Sequence, residues 1–168
     1  MLLRAITRIP GTVMKLIAII AAATLVSATL PAQAAATDPL RAIYRVSGVT
    51  ANSTAAGVGA ATTFHCTNFS PVSENIRFTT RIKDGTVVST STTTLVSNGT
   101  ITASTHPTTF FNEDVFLSTG LVTQGSTVIL ATSLAFHCSA MIVDAGSAFP
   151  QGFALHLLRV NPLANSQE

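Results

Sequence analysis

Only two cysteines occur in the chain, and the same two residues precede each: Phe64-His65-Cys66 and Phe136-His137-Cys138. They stand 72 residues apart. In a β-strand successive side chains point to opposite faces. Phe64 and Cys66 therefore share one face and His65 takes the other, and the same holds for Phe136, Cys138 and His137. The pair reads as one disulfide, Cys66–Cys138, joining two core strands, and we expect those strands to lie in opposite sheets. A bridge closing so long a loop stabilises a fold by roughly 4 kcal/mol on the chain-entropy model.

A disulfide needs an oxidising compartment. The N-terminus supplies a route to one. Leu16–Leu30 is apolar except for Thr24, Ser27 and Thr29, it follows Lys15, and Pro31-Ala32-Gln33-Ala34 comes after it. A positive start, a short apolar run and an A-x-A end describe a secretory signal peptide. A membrane span needs about 20 apolar residues, more than this run offers. We expect residues 1–34 to be removed, with Ala36 an alternative cleavage point, and Met14 to be the true start. No cysteine lies at the cut to take a lipid. The remaining residues 35–168 are expected to form one domain with a loose tail from about residue 161.

Loss of the leader changes the charge. The mature part keeps six basic residues (Arg41, Arg45, Arg77, Arg81, Lys83, Arg159) and seven acidic ones, a balance of −1. The isoelectric point of 8.8 and the mean hydropathy of +0.49 describe the whole chain, leader included. A nearly neutral domain lacks the electrostatic footprint of a nucleic-acid binder.

No long segment after the leader has helical periodicity. Short runs of Thr, Ser, Val and Ile alternate with Gly, Asn and Pro, which describes an all-β domain. Arg41–Val49 is the first strand, with Ile43 and Arg45 on one face and Tyr44 and Val46 on the other. Ser53–Ala61 is a glycine-rich loop, and Thr62–Phe69 is the first cysteine strand. Glu74–Lys83 is the clearest amphipathic strand: Ile76, Phe78, Thr80 and Ile82 face one way, and Arg77, Thr79, Arg81 and Lys83 the other. Asp84-Gly85 and Asn98-Gly99 are two-residue hairpin signals, so Glu74–Lys83, Thr86–Val96 and Thr100–Thr105 should form a meander. His106-Pro107 ends the third of these. After the short strand Val115–Thr119, Thr123–Ser126 reads as a turn and Thr127–Val143 as a long strand bent near Thr132-Ser133. Gly152–Val160, apolar on both faces, suits a central strand or an interface.

The sum is an antiparallel β-sandwich of about 7–9 strands, near the size of an immunoglobulin-like domain, whose topology we take as the guess. The similarity is architectural. There is no tryptophan to pack on the bridge, and the only tyrosine, Tyr44, precedes the first cysteine.

Residues that carry chemistry are few. If the two cysteine strands were neighbours in one sheet, His65 and His137 would stand close enough for two imidazoles to bind Cu or Zn, with His156 or Asp144 as a third ligand. If the strands lie in opposite sheets, the two histidines are half-buried strand positions with local partners. His106, Glu113 and Asp114 cluster around the proline interruption, but no nucleophile motif, zinc-protease motif or phosphate loop accompanies them. We expect no enzyme activity, no catalytic residue and no cofactor. Arg77, Arg81 and Lys83 offer a face for an anionic glycan or a lipid headgroup, or they are simply the solvent side of a strand. Asn52-Ser53-Thr54, Asn68-Phe69-Ser70 and Asn98-Gly99-Thr100 match the glycosylation pattern, which a Thr/Ser-rich chain produces by chance.

The expected role is thus an exported bacterial-type envelope protein, periplasmic or extracellular, with a structural or binding task. Its partner would be another envelope protein or a glycan. The leader, the small Thr/Ser/Ala/Val-rich sandwich and the single bridge are similar to pilin subunits of the chaperone–usher kind, a resemblance that implies a fold completed by a neighbour's strand. The wide cysteine spacing and the non-aromatic end Asn161–Glu168 depart from that pattern. A periplasmic Cu/Zn-binding protein using His65 and His137 is the remaining alternative.

Overall fold

The computed structural model describes residues 39–149 and 151–160. The expected leader, the start at Met14 and the tail from residue 161 lie outside the described residues. The strands are β1 (Arg41–Ala51), β2 (Ala60–Asn68), β3 (Glu74–Ile82), β4 (Val87–Leu95), β5 (Thr100–Ser104), β6 (Val115–Phe116), β7 (Val122–Ala131), β8 (Phe136–Asp144), β9 (Gly152–Leu155) and β10 (Leu157–Arg159). Among the described residues no helix is long and apolar enough to cross a membrane.

All ten strands join one mixed sheet in the order β4-β3-β7-β1-β2-β5-β6, with β10 on β1 and β9-β8 on β2. Every pairing is antiparallel except β5–β6. The sheet curls until it is nearly a barrel. Ala51 pairs with Ala61 where β1 meets β2, and β9 and β10 run from β8 to β1 as one stretch of chain. On the far side Ser89 Oγ of β4 donates to the Leu117 carbonyl just after β6. A sheet rolled this way turns the inner faces of its strands toward a core, of which one large cluster and a small one around Ala61, Val143 and Ala145 are present. Phe64 and Phe78 meet in the large cluster, ring centroids 5.7 Å apart, with Val46, Ile76, Ile129 and Phe136 around them.

The alternation of β3 is as the sequence dictates: Ile76, Phe78 and Thr80 are buried, and Arg77, Thr79 and Arg81 face outward. Other expectations are corrected. The two cysteine strands are not in opposite sheets. β2 and β8 are direct neighbours, and Cys66 pairs with Cys138 across the ladder, Cα to Cα 4.1 Å. That excludes the bridge between sheets on which the immunoglobulin comparison leaned. The expected meander exists only as β3–β4. After Asn98-Gly99 the chain leaves β4, and β5 pairs with β2 instead. Asn98 has φ 57° and Gly99 is not left-handed, so the two-residue hairpin geometry is absent. At the other signal, Gly85 (φ 87°) closes a wider turn with a register shift at Arg81, a type I turn followed by a bulge.

The segment Thr123–Ser126 is not a turn but part of β7, which lies between β1 and β3 and is paired on both edges. Turn composition lost to two flanking strands that together satisfy its backbone. The long apolar run beyond it is two strands, β7 and β8, separated at Thr132–Ala135. In β1 a register shift between Ala42 and Tyr44 turns both Ile43 and Tyr44 inward, so Ile43 and Arg45 do not share a face in the way regular alternation predicts. Gly152–Val160 is no central strand. It breaks at His156 into β9 and β10, and Gly152, Phe153 and Ala154 are exposed.

Candidate binding site

Three places gather polar or apolar groups that a ligand could use. The first is the outer side of the disulfide. His65 and His137 both face away from the bridge, as alternation requires. In the register His65 opposes Ser139 and His137 opposes Thr67, so the imidazoles sit on a diagonal and not side by side. His65 leans the other way, toward β5, with its Nδ1 3.2 Å from Thr102 Oγ1. Its ring packs on Phe111 at 4.7 Å, and Phe111 meets Phe110 edge to face. Burial lowers the His65 pKa below its ordinary value of 6.5, and the Glu113 carboxylate pulls it partly back. His137 and His156 are exposed. Among the described residues no group of three or more His, Cys, Asp or Glu side chains converges as a metal site would require.

The second place is the proline corner. Glu113 and Asp114 do not face His106. Glu113 accepts from the Thr108 amide at 2.8 Å, and Asp114 accepts from the Thr102 amide at 2.8 Å, so both carboxylates tie the loop to itself and to β5. His106 is buried and sits 3.0 Å from the Val58 carbonyl through Nε2, which fixes the proton there, because a carbonyl only accepts. Its Nδ1 is buried with no partner among the described residues. Ser53, Thr54, Thr105, Pro107 and Ser118 surround it in a cavity of about 270 Å³. No carboxylate orients the imidazole, so the arrangement of a nucleophile, a base and an orienting acid is not assembled there.

The third place was not singled out by residue type, and the strand edges create it. Asn52, Gly59 and Ala60 form one wall and Ile142–Asp144 with Gln151–Phe153 the other, around a groove of about 460 Å³. β9 pairs only with β8, so its second edge is free among the described residues. Phe153 is 79% exposed and Phe149 74%. Gly152 makes the approach possible, because a Cβ there would lie 2.1 Å from the Ile142 carbonyl oxygen. The apolar sequence of Gly152–Val160, which suits a central strand or an interface, is the signal that marks this stretch.

Asn68 is fully buried, and its amide donates to the carbonyls of Val72, Leu95 and Val96 at 2.9, 3.0 and 3.2 Å. That nitrogen is committed to the fold, so the Asn68-Phe69-Ser70 match is no glycosylation site.

These features define the class that the geometry supports: an all-β protein whose mixed sheet is nearly a barrel, carrying one disulfide within that sheet. No protein-family model, curated protein or solved structure matches the chain.

Proposed function

We propose that this is an exported envelope protein, periplasmic or extracellular, with a non-catalytic binding role exercised at the β9 edge. The observation that carries the reading is Phe153, 79% exposed on a strand with one edge free among the described residues and next to an apolar groove. A free edge offers unpaired N–H and C=O groups to an extended segment, and a neighbouring groove takes its alternate side chains. The partner on this reading is an extended segment of another envelope protein. Export is in keeping with the disulfide, since such bridges are common in oxidising compartments and rare in reducing ones, and with the leader-like residues 1–34.

A self-assembling, fimbrial-type subunit is the special case in which the partner is a second copy. An immunoglobulin-like relationship would rest only on the two sides of the curled sheet packing across one core, and the bridge within the sheet argues against it. A Cu/Zn role for His65 and His137 has less support, because His65 is turned toward Thr102.

A photo-crosslinking residue placed at position 153 of the protein in cells tests the proposal, with exposed position 90 on β4 as control. Adducts with an envelope protein at 153 and not at 90 are expected. Adducts to a second copy would select the fimbrial-type case. Equal yields at both positions, or none at 153, would overturn the edge as the binding site.

A further inference from the structure

We propose that the outer face of β4, β3, β7 and β1 binds an extended anionic polysaccharide bearing sulfate or phosphate groups, through Arg45, Arg77 and Arg81. The register places these three arginines on one surface. Thr79 pairs with Val128 and Val128 with Arg45, so Arg45 shares the outward side of Arg77 and Arg81. Thr90, Thr92 and Thr94 stand exposed on β4 beside Thr79, Arg77 and Asn75. Ser126 and Ser47 continue the row of Arg81. No Asp or Glu occupies these outward positions.

Among the described residues charge is partitioned in the same sense. Arg45, Arg77 and Arg81 lie on β1 and β3, and Lys83 follows β3. Glu113, Asp114 and Asp144 lie on the side built by β5 and β8. Among the described residues the two carboxylates on the basic side are engaged elsewhere: Thr132 Oγ1 donates to buried Glu74, and Asp84 accepts from the Thr86 amide at the hairpin tip.

Two of the three arginines are also held in place. Arg77 Nε donates to Thr92 Oγ1 at 2.8 Å, and Arg81 Nη1 donates to the Gly85 carbonyl at 2.9 Å. Both acceptors are neutral, so neither bond neutralises a guanidinium charge while it orients the side chain. An arginine already ordered loses less entropy on meeting an anion. Those two bonds pull the guanidinium groups apart, toward mid-β4 and toward the hairpin tip. Four residues of strand separate Arg77 from Arg81 by about 13 Å, and Arg45 lies two strands away, about 10 Å across. A single phosphate does not span that triangle, whereas a polymer with repeated anionic groups does. The hydroxyl rows suit sugar hydroxyls and sulfate oxygens. Nucleic acid fits less well, because no aromatic side chain stands on this face to stack a base.

Binding of the purified protein to dextran sulfate, with neutral dextran and phosphatidylglycerol vesicles in parallel, tests the inference. Dextran sulfate should bind, with affinity falling steeply as salt rises, by a log–log slope of about −2 to −3 for three contacts. The triple variant R45Q/R77Q/R81Q should lose at least about tenfold in affinity and keep its urea midpoint, since all three side chains lie on the solvent side of the sheet. The double variant R41Q/R159Q removes charge from positions that pair with inward-facing Ala131 and Tyr44, and it should bind as the parent does. The proposal falls if dextran sulfate does not bind, if neutral dextran binds equally, or if the triple variant binds unchanged. It also falls if the double variant loses as much, or if only the vesicles bind.

Discussion

Cys66 and Cys138 face each other directly across the antiparallel pair β2 and β8, with Cα atoms 4.1 Å apart and Phe64 and Phe136 close to them in the core. The bridge holds two adjacent strands of one sheet, while the chain between them builds β3 to β7. Its effect on the native state is local, and its effect on the unfolded chain is long-range. Replacing both cysteines by alanine should therefore cost about 4 kcal/mol by the loop-closure argument. Urea unfolding of the double variant against the oxidised parent measures this. A cost under about 1 kcal/mol would mean that strand pairing alone already restrains the unfolded ensemble.

Asn68, the last residue of β2, donates to the Leu95 and Val96 carbonyls at the end of β4 and to the Val72 carbonyl in the loop before β3, and its own Oδ1 accepts from the Ser70 amide at 2.9 Å. Asn68→Ala leaves several buried backbone groups unpaired and should destabilise by about 2–4 kcal/mol. Asn68→Asp should cost at least as much, because a carboxylate would face three carbonyl oxygens. Equilibrium unfolding of both variants checks the order.

His65 makes stability depend on pH. Its folded pKa is lowered by burial, so the unfolded chain takes up the proton first as pH falls. The contribution is fully present above about pH 6.5 and is lost as pH drops toward the lowered folded value. Comparing urea midpoints at about pH 7.5 and about pH 5 should show a fall that shrinks in His65→Gln. Glu113→Gln removes the group that partly restores the pKa, so it should steepen the fall.

Gly125 is the close point of β7 between its two neighbours. A Cβ there would lie 2.6 Å from Val122 Cγ1, 2.8 Å from the Arg81 carbonyl oxygen and 3.2 Å from the Val49 carbonyl oxygen. Two of those atoms are backbone of paired strands and do not yield cheaply. Gly125→Ala should cost roughly 1–3 kcal/mol as an overpacking change. The neighbouring Gln124→Ala, at an exposed position, should be within about 0.5 kcal/mol of the parent. Thermal or urea unfolding of the pair separates the two cases.

Strand-level physics was written in the chain wherever it is local. The alternation of Ile76, Phe78 and Thr80 against Arg77, Thr79 and Arg81, the stop at His106-Pro107, and the inward turn of Phe64 and Cys66 with His65 outward all follow from side-chain period and propensity. The turn between β3 and β4 was legible at Asp84-Gly85, since one glycine in the left-handed region suffices there. Cysteine pairing was legible because two thiols admit a single pairing.

Strand partnership was decided only in three dimensions. Nothing local says that the chain after Asn98-Gly99 pairs with β2 and not with β4, or that Thr123–Ser126 is held straight by strands on both edges. Those choices depend on which distant backbone groups remain unpaired once the core has closed, a condition set by residues far apart in sequence. The same closure placed the cysteines in one sheet, put His65 on a diagonal from His137, exposed Phe153 beside a groove, and brought Arg45 onto the face of Arg77 and Arg81. Composition and period determined what each strand is, and the rolled sheet decided what each strand is next to.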